Sequence, residues 1–177
     1  PPRCQYIRVI VAELSRISSH LVWLGTHALD LAAMSVFLYC FREREYLLDI
    51  YEMVAGQRMM VSYYCPGGLW RDVPDEFVPA VRHFLDFFPA KIADYEALLD
   101  RNPIFLSRTK DVGNISGSEA IAWGLTGPSM RGSGVDWDNR RDMPYAGYEQ
   151  YEFAVPVERE GDVYARYRCR MLEMRES

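Results

Sequence analysis

The stretch Ile7–Leu31, IRVIVAELSRISSHLVWLGTHALDL, decides the fold class. Its apolar residues Ile7, Ile10, Leu14, Ile17, Leu21, Leu24, Ala28 and Leu31 recur at intervals of three and four. That spacing places them on one stripe of a long α-helix. A second stripe lies beside the first and carries Glu13, Arg16, His20, Trp23, His27 and Asp30. A helix with adjacent apolar and polar stripes belongs in a bundle, its polar stripe facing water or a polar cavity. The segment Leu21–Cys40 is long enough to span a bilayer. However, Asp30 at its middle costs about 2.5–3.5 kcal/mol on insertion scales. A buried helix of a globular protein is the better reading.

Outward from this helix, Phe37–Arg58 reads as a second, with Phe37, Phe41, Leu48, Tyr51 and Ala55 on its apolar side and Gly56 weakening its last turn. Cys65-Pro66-Gly67-Gly68 reads as a loop. Asp72 and Pro74 open a further helix that Pro79 interrupts, and Pro89 begins another that runs to about Asn102. Asp111–Ile115 is a candidate extended piece. Ser116-Gly117-Ser118-Glu119 is a capping box, so a short helix follows and stops at Gly124. The Gly-, Asp- and Arg-rich run Gly127–Pro144 reads as a long loop of the kind that carries function or an interface. Glu149–Val157 alternates as a strand does, and Asp162 caps a last helix from Val163. The expected fold is mainly α, a bundle of long helices with a small β element late in the chain. Residues 1–177 read as a single segment. Pro1-Pro2-Arg3 brings neither a Met nor a leader, and Met174-Arg175-Glu176-Ser177 reads as uncapped helix, so the chain is expected to be an internal piece of a longer one.

The 177 residues suffice for a sizeable core, and a net charge of −5 gives no reason to expect a nucleic-acid partner. Twelve Tyr and eight Met suggest a broad packing surface. Cys4, Cys40, Cys65 and Cys169 form no C-x-x-C pair and read as four reduced thiols in a reducing, cytoplasmic compartment. His20 and His27 stand two helical turns apart, too far to share an ion without a third ligand between them, so no metal site is expected. Gly132-Ser133-Gly134 follows no strand and carries no Lys-Ser/Thr, and a turn is a better reading than a phosphate loop. Asp30 lies among Ala28, Leu29, Leu31, Ala32 and Ala33. There its carboxylate is either functional or a cap for the next helix near Met34.

The runs Pro1-Pro2-Arg3, Arg8-Val9, Glu13-Leu14-Ser15-Arg16 and Thr26-His27-Ala28-Leu29-Asp30 resemble the quinone-site (D, or 49-kDa) subunit family of proton-pumping NADH–quinone oxidoreductase. Phe41-Arg42-Glu43-Arg44-Glu45, Gly67-Gly68, Leu125-Thr126-Gly127, Arg131-Gly132-Ser133-Gly134 and Met174-Arg175-Glu176-Ser177 continue the likeness in order. The resemblance implies the core of a hydrogenase-large-subunit-like fold without its nickel. It implies a place in the peripheral arm, on the cytoplasmic face of the inner membrane, and no transmembrane helix of the subunit's own. The implied partners are the C subunit and the B subunit, which carries the terminal [4Fe–4S] cluster. Ubiquinone or menaquinone binds between the B subunit and this one and takes the cluster's electrons. NAD, FMN and the other iron–sulfur clusters belong elsewhere in the complex, and the segment alone is expected to bind no cofactor and to catalyse nothing.

By position, Asp30 matches a family aspartate that hydrogen-bonds a histidine beside the quinone head. Thr26 and Phe37 match residues lining the cavity, and Arg58 matches an arginine near the terminal cluster. Two positions depart from the family: Val36 stands where Pro is usual, and Met60 stands where a histidine near the cluster is common. The alternatives are the large subunit of a membrane-bound [NiFe] hydrogenase-like or F420- or ferredoxin-linked oxidoreductase, and a purely structural docking module.

Overall fold

A computed structural model describes residues 2–177. The chain packs as two compact units, one ending at Asp94 and the other formed by Tyr95–Ser177.

The first unit is built on a helical hairpin. Helix α1 (Pro2–Asp30) carries the predicted stripe, and Ile7, Leu14, Ile17, Leu21, Leu24 and Ala28 are buried on it. Ile10 departs from the stripe and is 38% exposed. The helix stops because Ala32 adopts a left-handed φ of 66°. The Ala33 amide then donates to the Ala28 carbonyl at 2.8 Å and the Ala32 amide to the Leu29 carbonyl at 2.9 Å. Those two bonds satisfy carbonyls that a helix end otherwise leaves open.

Helix α2 (Met34–Ala55) returns along α1. It ends three residues before the expected Arg58, because Gly56 takes a left-handed φ of 72° and its amide closes on the Glu52 carbonyl at 2.7 Å. The two helices approach closely at Gly25, where a Cβ would stand 3.3 Å from the Phe41 ring, 3.4 Å from Phe37 and 3.5 Å from Cys40. Burial pushes the Cys40 thiol up to about 12, with the nearby Glu43 charge adding to the effect.

A two-stranded antiparallel hairpin follows, β1 (Tyr64–Cys65) and β2 (Gly68–Leu69), with Cys65 opposite Gly68. Its turn is Pro66-Gly67, and a φ of 83° at Gly67 fits the second central position of a type II turn. This corrects two expectations. Cys65–Gly68 is the turn of a β element rather than an open loop, and the chain's small sheet lies here rather than late in the sequence. Glu149–Val157 forms a 3₁₀ turn (Tyr148–Gln150) followed by irregular chain. Its alternation lacks a partner strand, and an unpaired strand has no ladder to stabilise it. The Ala154 amide bonds the Glu176 carboxylate instead, at 2.9 Å.

Helix α3 (Phe77–Leu99) is continuous through both prolines. Pro79 falls in the first turn, where the missing N–H would have had no partner in any case. Pro89 lies inside the helix, yet the buried row Phe77, Val81, Phe84, Phe88, Ile92, Tyr95 and Leu99 runs past it unbroken. Burial of that row outweighs the loss of one backbone bond.

The second unit contains short helices and one longer one. Helix α4 (Pro103–Thr109) is capped by Asn102, whose side chain accepts from Ile104 and Phe105. The predicted capping box opens α5 (Gly117–Ala122), with the Ser116 hydroxyl accepting from Glu119 N and the Glu119 carboxylate accepting from Ser116 N. The run 127–144 is partly helical, holding α6 (Pro128–Arg131) and α7 (Asn139–Asp142). Asp111–Ile115 forms no strand and is tied to the turn before the last helix by Ile115 N donating to Gly161 O at 3.0 Å. Asp162 caps α8 (Val163–Glu176) as expected, accepting from Ala165 N at 2.7 Å. Its second carboxylate oxygen accepts from Asp111 N at 2.9 Å, a bond no local pattern announced.

Candidate functional site

The residues singled out in sequence all fall in the first unit, in two groups. Thr26, Asp30 and Phe37 gather at the turn of the α1–α2 hairpin. Thr26 and Asp30 are exposed one helical turn apart on α1. The Thr26 hydroxyl donates back to the Val22 and Trp23 carbonyls, at 2.9 and 3.1 Å. Phe37 is half-buried against Gly25, its ring 4.4 Å from that of Phe41. Asp30 is the last residue of α1, and the residue preceding α2 is Ala33, with no side-chain cap. The capping role considered for Asp30 is therefore not formed. On the same polar stripe Trp23 and His27 stack at 4.7 Å, and Arg16 pairs with Glu13 at 2.9 Å.

The second group borders a cleft of about 340 Å³. Ser15, Ser18, Ser19 and Val22 of α1 form one side, Arg44, Leu48 and Tyr51 of α2 another, and Arg58, Met59, Met60 and Val61 close it. Spacing along α1 carries Ser15, Ser19 and Val22 on to Thr26, so the cleft ends one helical turn from the hairpin group. Desolvation drives the Tyr51 phenol far above its ordinary value, and the hydroxyls of Ser15 and Ser18 only partly oppose it. The cleft thus pairs hydroxyls and guanidinium groups with an apolar floor. It suits a group that is part polar and part apolar, and places no nucleophile against a base.

Arg58 bonds Glu45 and Asp49 and reaches Glu52 at 3.3 Å, so its charge is anchored to one face of α2. Met60 is 89% exposed and holds a left-handed φ of 54°. Arg71 fixes the following segment, donating to the Val54 and Met53 carbonyls at 2.8 and 3.0 Å. Among the described residues no three His, Cys, Asp or Glu side chains are placed to hold a metal ion.

Sequence reasoning missed a buried ionic cluster in the second unit. Arg131, Asp138, Arg140 and Glu173 are all nearly inaccessible. Arg131 meets Glu173 at 2.8 Å and Asp138 at 3.3 Å, and Arg140 meets Asp138 at 2.8 Å and Glu173 at 3.2 Å. Two cations and two anions leave the cluster neutral, and it pins the Gly-rich run onto α8. One signal was present: Ala165, Cys169 and Glu173 follow at intervals of four, which puts a carboxylate on a buried face.

The chain belongs to the family described as "Respiratory-chain NADH dehydrogenase, 49 Kd subunit", which matches residues 30–177. Among its relatives, the first of the D subunits of NADH-quinone oxidoreductase in Herpetosiphon aurantiacus is 59% identical over 177 residues, covering all of this chain and 42% of that protein. The corresponding D-type NADH-quinone oxidoreductase chain of Roseiflexus castenholzii is 60% identical, again over all of this chain and 42% of its own length. That of Geotalea uraniireducens is 57% identical over all of this chain and 45% of its own. The chain therefore spans less than half the length of the curated relatives it matches.

Proposed function

We propose that this chain is the part of the quinone-binding subunit of a proton-pumping NADH:quinone oxidoreductase that forms one wall of the quinone cavity. The observation that carries the reading is the identity with D-type chains of NADH-quinone oxidoreductases, which is 59% for the Herpetosiphon aurantiacus protein and extends along all 177 residues. That likeness favours a quinone enzyme over the hydrogenase-like alternative.

In this reading the subunit sits in the peripheral arm, on the cytoplasmic face of the membrane, against the B and C subunits. Among the described residues, no helix is long and apolar enough to cross a membrane. Electrons reach the quinone from the terminal [4Fe–4S] cluster of the neighbouring B subunit. NAD, FMN and the remaining clusters serve the complex elsewhere.

Thr26 and Phe37 line the cavity at the hairpin turn. The Asp30 carboxylate, exposed at the end of α1, accepts a hydrogen bond from a histidine beside the quinone head. It thereby sets that histidine's orientation and favours its protonated form. Arg58 and Met60 face the cluster side.

The test is Asp30→Asn in the assembled enzyme, which keeps size and removes charge. Quinone reduction is expected to fall by about tenfold or more, the scale of losing a supporting carboxylate. NADH oxidation by an artificial acceptor stays unchanged. Unaltered quinone turnover would remove Asp30 from the site.

A further inference from the structure

Cys4 lies on the first turn of α1, and Cys65 on β1 of the hairpin that packs against that helix. They are 61 residues apart in sequence, counting from position 4 to position 65. Cys65 and Gly68 are directly opposed across the two strands, so their side-chain positions share one face of the hairpin. A Cβ built on Gly68 would stand 3.7 Å from the Cys4 sulfur. The Cys4 sulfur therefore lies beside the Cys65–Gly68 pair. Residue 68 is a glycine and places no side chain of its own beside the Cys4 sulfur.

Arg8 holds the arrangement together. Its guanidinium donates to the Gly68 carbonyl at 3.1 Å and the Cys65 carbonyl at 3.4 Å, and lies 5.2 Å from the centre of the Tyr64 ring. The Tyr64 hydroxyl donates back to the Arg8 carbonyl at 3.2 Å. Both Cys4 and Cys65 are partly exposed, whereas Cys40 and Cys169 are buried.

We propose that Cys4 and Cys65 are an oxidative modification site, a thiol pair that closes reversibly into a disulfide joining the start of α1 to the β1–β2 hairpin. The oxidant is a low-molecular-weight disulfide. One cysteine thiolate attacks a sulfur of that disulfide, forming a mixed disulfide and releasing one small thiolate. The second cysteine thiolate attacks the protein sulfur of the mixed disulfide and releases the other. Two cysteine protons pass to the two released thiolates, and two electrons pass from the cysteines to the oxidant. Under reducing conditions both residues are thiols, and the Arg8 and Tyr64 bonds tie the hairpin to α1 without a covalent link. Oxidation adds a covalent tie beside the cleft, since Tyr64 lies on the same strand and lines it. Cys40 and Cys169 serve as internal controls, because burial pushes their thiols up to about 12 and about 11 and thiols held protonated do not exchange.

The site does not depend on the proposed quinone role, and its test reads no quinone activity. The full-length protein in its complex is incubated with oxidised glutathione, alkylated and digested with trypsin. The expected product is a single linked pair of peptides, residues 4–8 and 59–71. It is lost after reduction and lost in Cys4→Ser and in Cys65→Ser, while Cys40 and Cys169 remain unlinked. The unaltered protein alone decides the matter, so a poorly folded variant does not obscure it. Recovery of both peptides alkylated, or each as a separate glutathione adduct, overturns the proposal.

Discussion

Arg131 Nη2 stands 2.8 Å from Glu173 Oε1, with the two side chains only 3% and 1% exposed. Glu173 also faces Arg140, so its removal strands cationic charge where water does not reach. Glu173→Gln is expected to destabilise the full-length protein by about 3–5 kcal/mol, the scale for breaking a buried pair from one side. Arg141 offers the contrast. It pairs with Asp136 while 42% exposed, and Arg141→Gln is expected to change stability by no more than about 1 kcal/mol. Urea unfolding of both variants measures the difference, and equal losses would contradict it.

Asp138 gives the same cluster a pH dependence. Burial pushes its carboxyl up, but hydrogen bonds from Arg140 and the charges of Arg140 and Arg131 outweigh burial and leave it below the ordinary aspartate value. A carboxyl depressed in the folded state contributes stability above its unfolded pKa of about 3.9 and loses it as pH falls through the lower folded value. The wild-type urea midpoint should therefore drop in that acid window. In Asp138→Asn the overall stability is lower and that part of the drop is missing. Midpoints measured from neutral pH down to about 2 resolve the two curves.

Gly25 tests the helix crossing. An Ala there gains about 1 kcal/mol of helix propensity, while its Cβ would enter a gap of 3.3 Å to the Phe41 ring. The two effects oppose each other, so Gly25→Ala should leave Tm nearly unchanged. Gly25→Leu forces α1 and α2 apart and should cost about 1–3 kcal/mol. A Leu variant as stable as the parent would mean that the helices separate without penalty.

Met60 bears on the proposed proximity to the cluster. A histidine close to a cluster feels each added electron and takes up a proton in response, which ties the midpoint to pH. A thioether exchanges no proton. If Met60 stands near the terminal cluster as proposed, that cluster is expected to hold a nearly pH-independent midpoint. Met60→His should introduce a slope of up to about 59 mV per pH unit. The backbone tolerates the change, because Met60 sits at φ 54° and histidine is among the residues enriched in that left-handed region. Redox titration followed by electron paramagnetic resonance at several pH values measures both forms. A full slope with Met60 in place would assign the proton to another group.

What the sequence by itself determined was local and periodic. The three–four spacing from Ile7 to Ala28, Ile10 apart, the Ser116–Glu119 capping box and the Asp162 cap each depend on contacts within a few residues, and each stands in the structure, whereas Leu31 falls in the turn beyond α1. The family was legible for a related reason: its matching runs are themselves short and collinear. Tertiary structure decided the rest. Glu149–Val157 alternates like a strand, but a strand exists only with a partner, and the partnered residues are Tyr64–Leu69. Pro89 looked like a helix start, but a buried apolar row carries α3 through it. Asp30 looked confined among apolar neighbours, yet the Ala32 turn ends α1 there and leaves it exposed. The cluster of Arg131, Asp138, Arg140 and Glu173 joins residues as many as 42 positions apart. Periodicity reports which face of an element is buried. It does not report what arrives to cover that face, because closing a long loop is set by the summed packing of the whole unit.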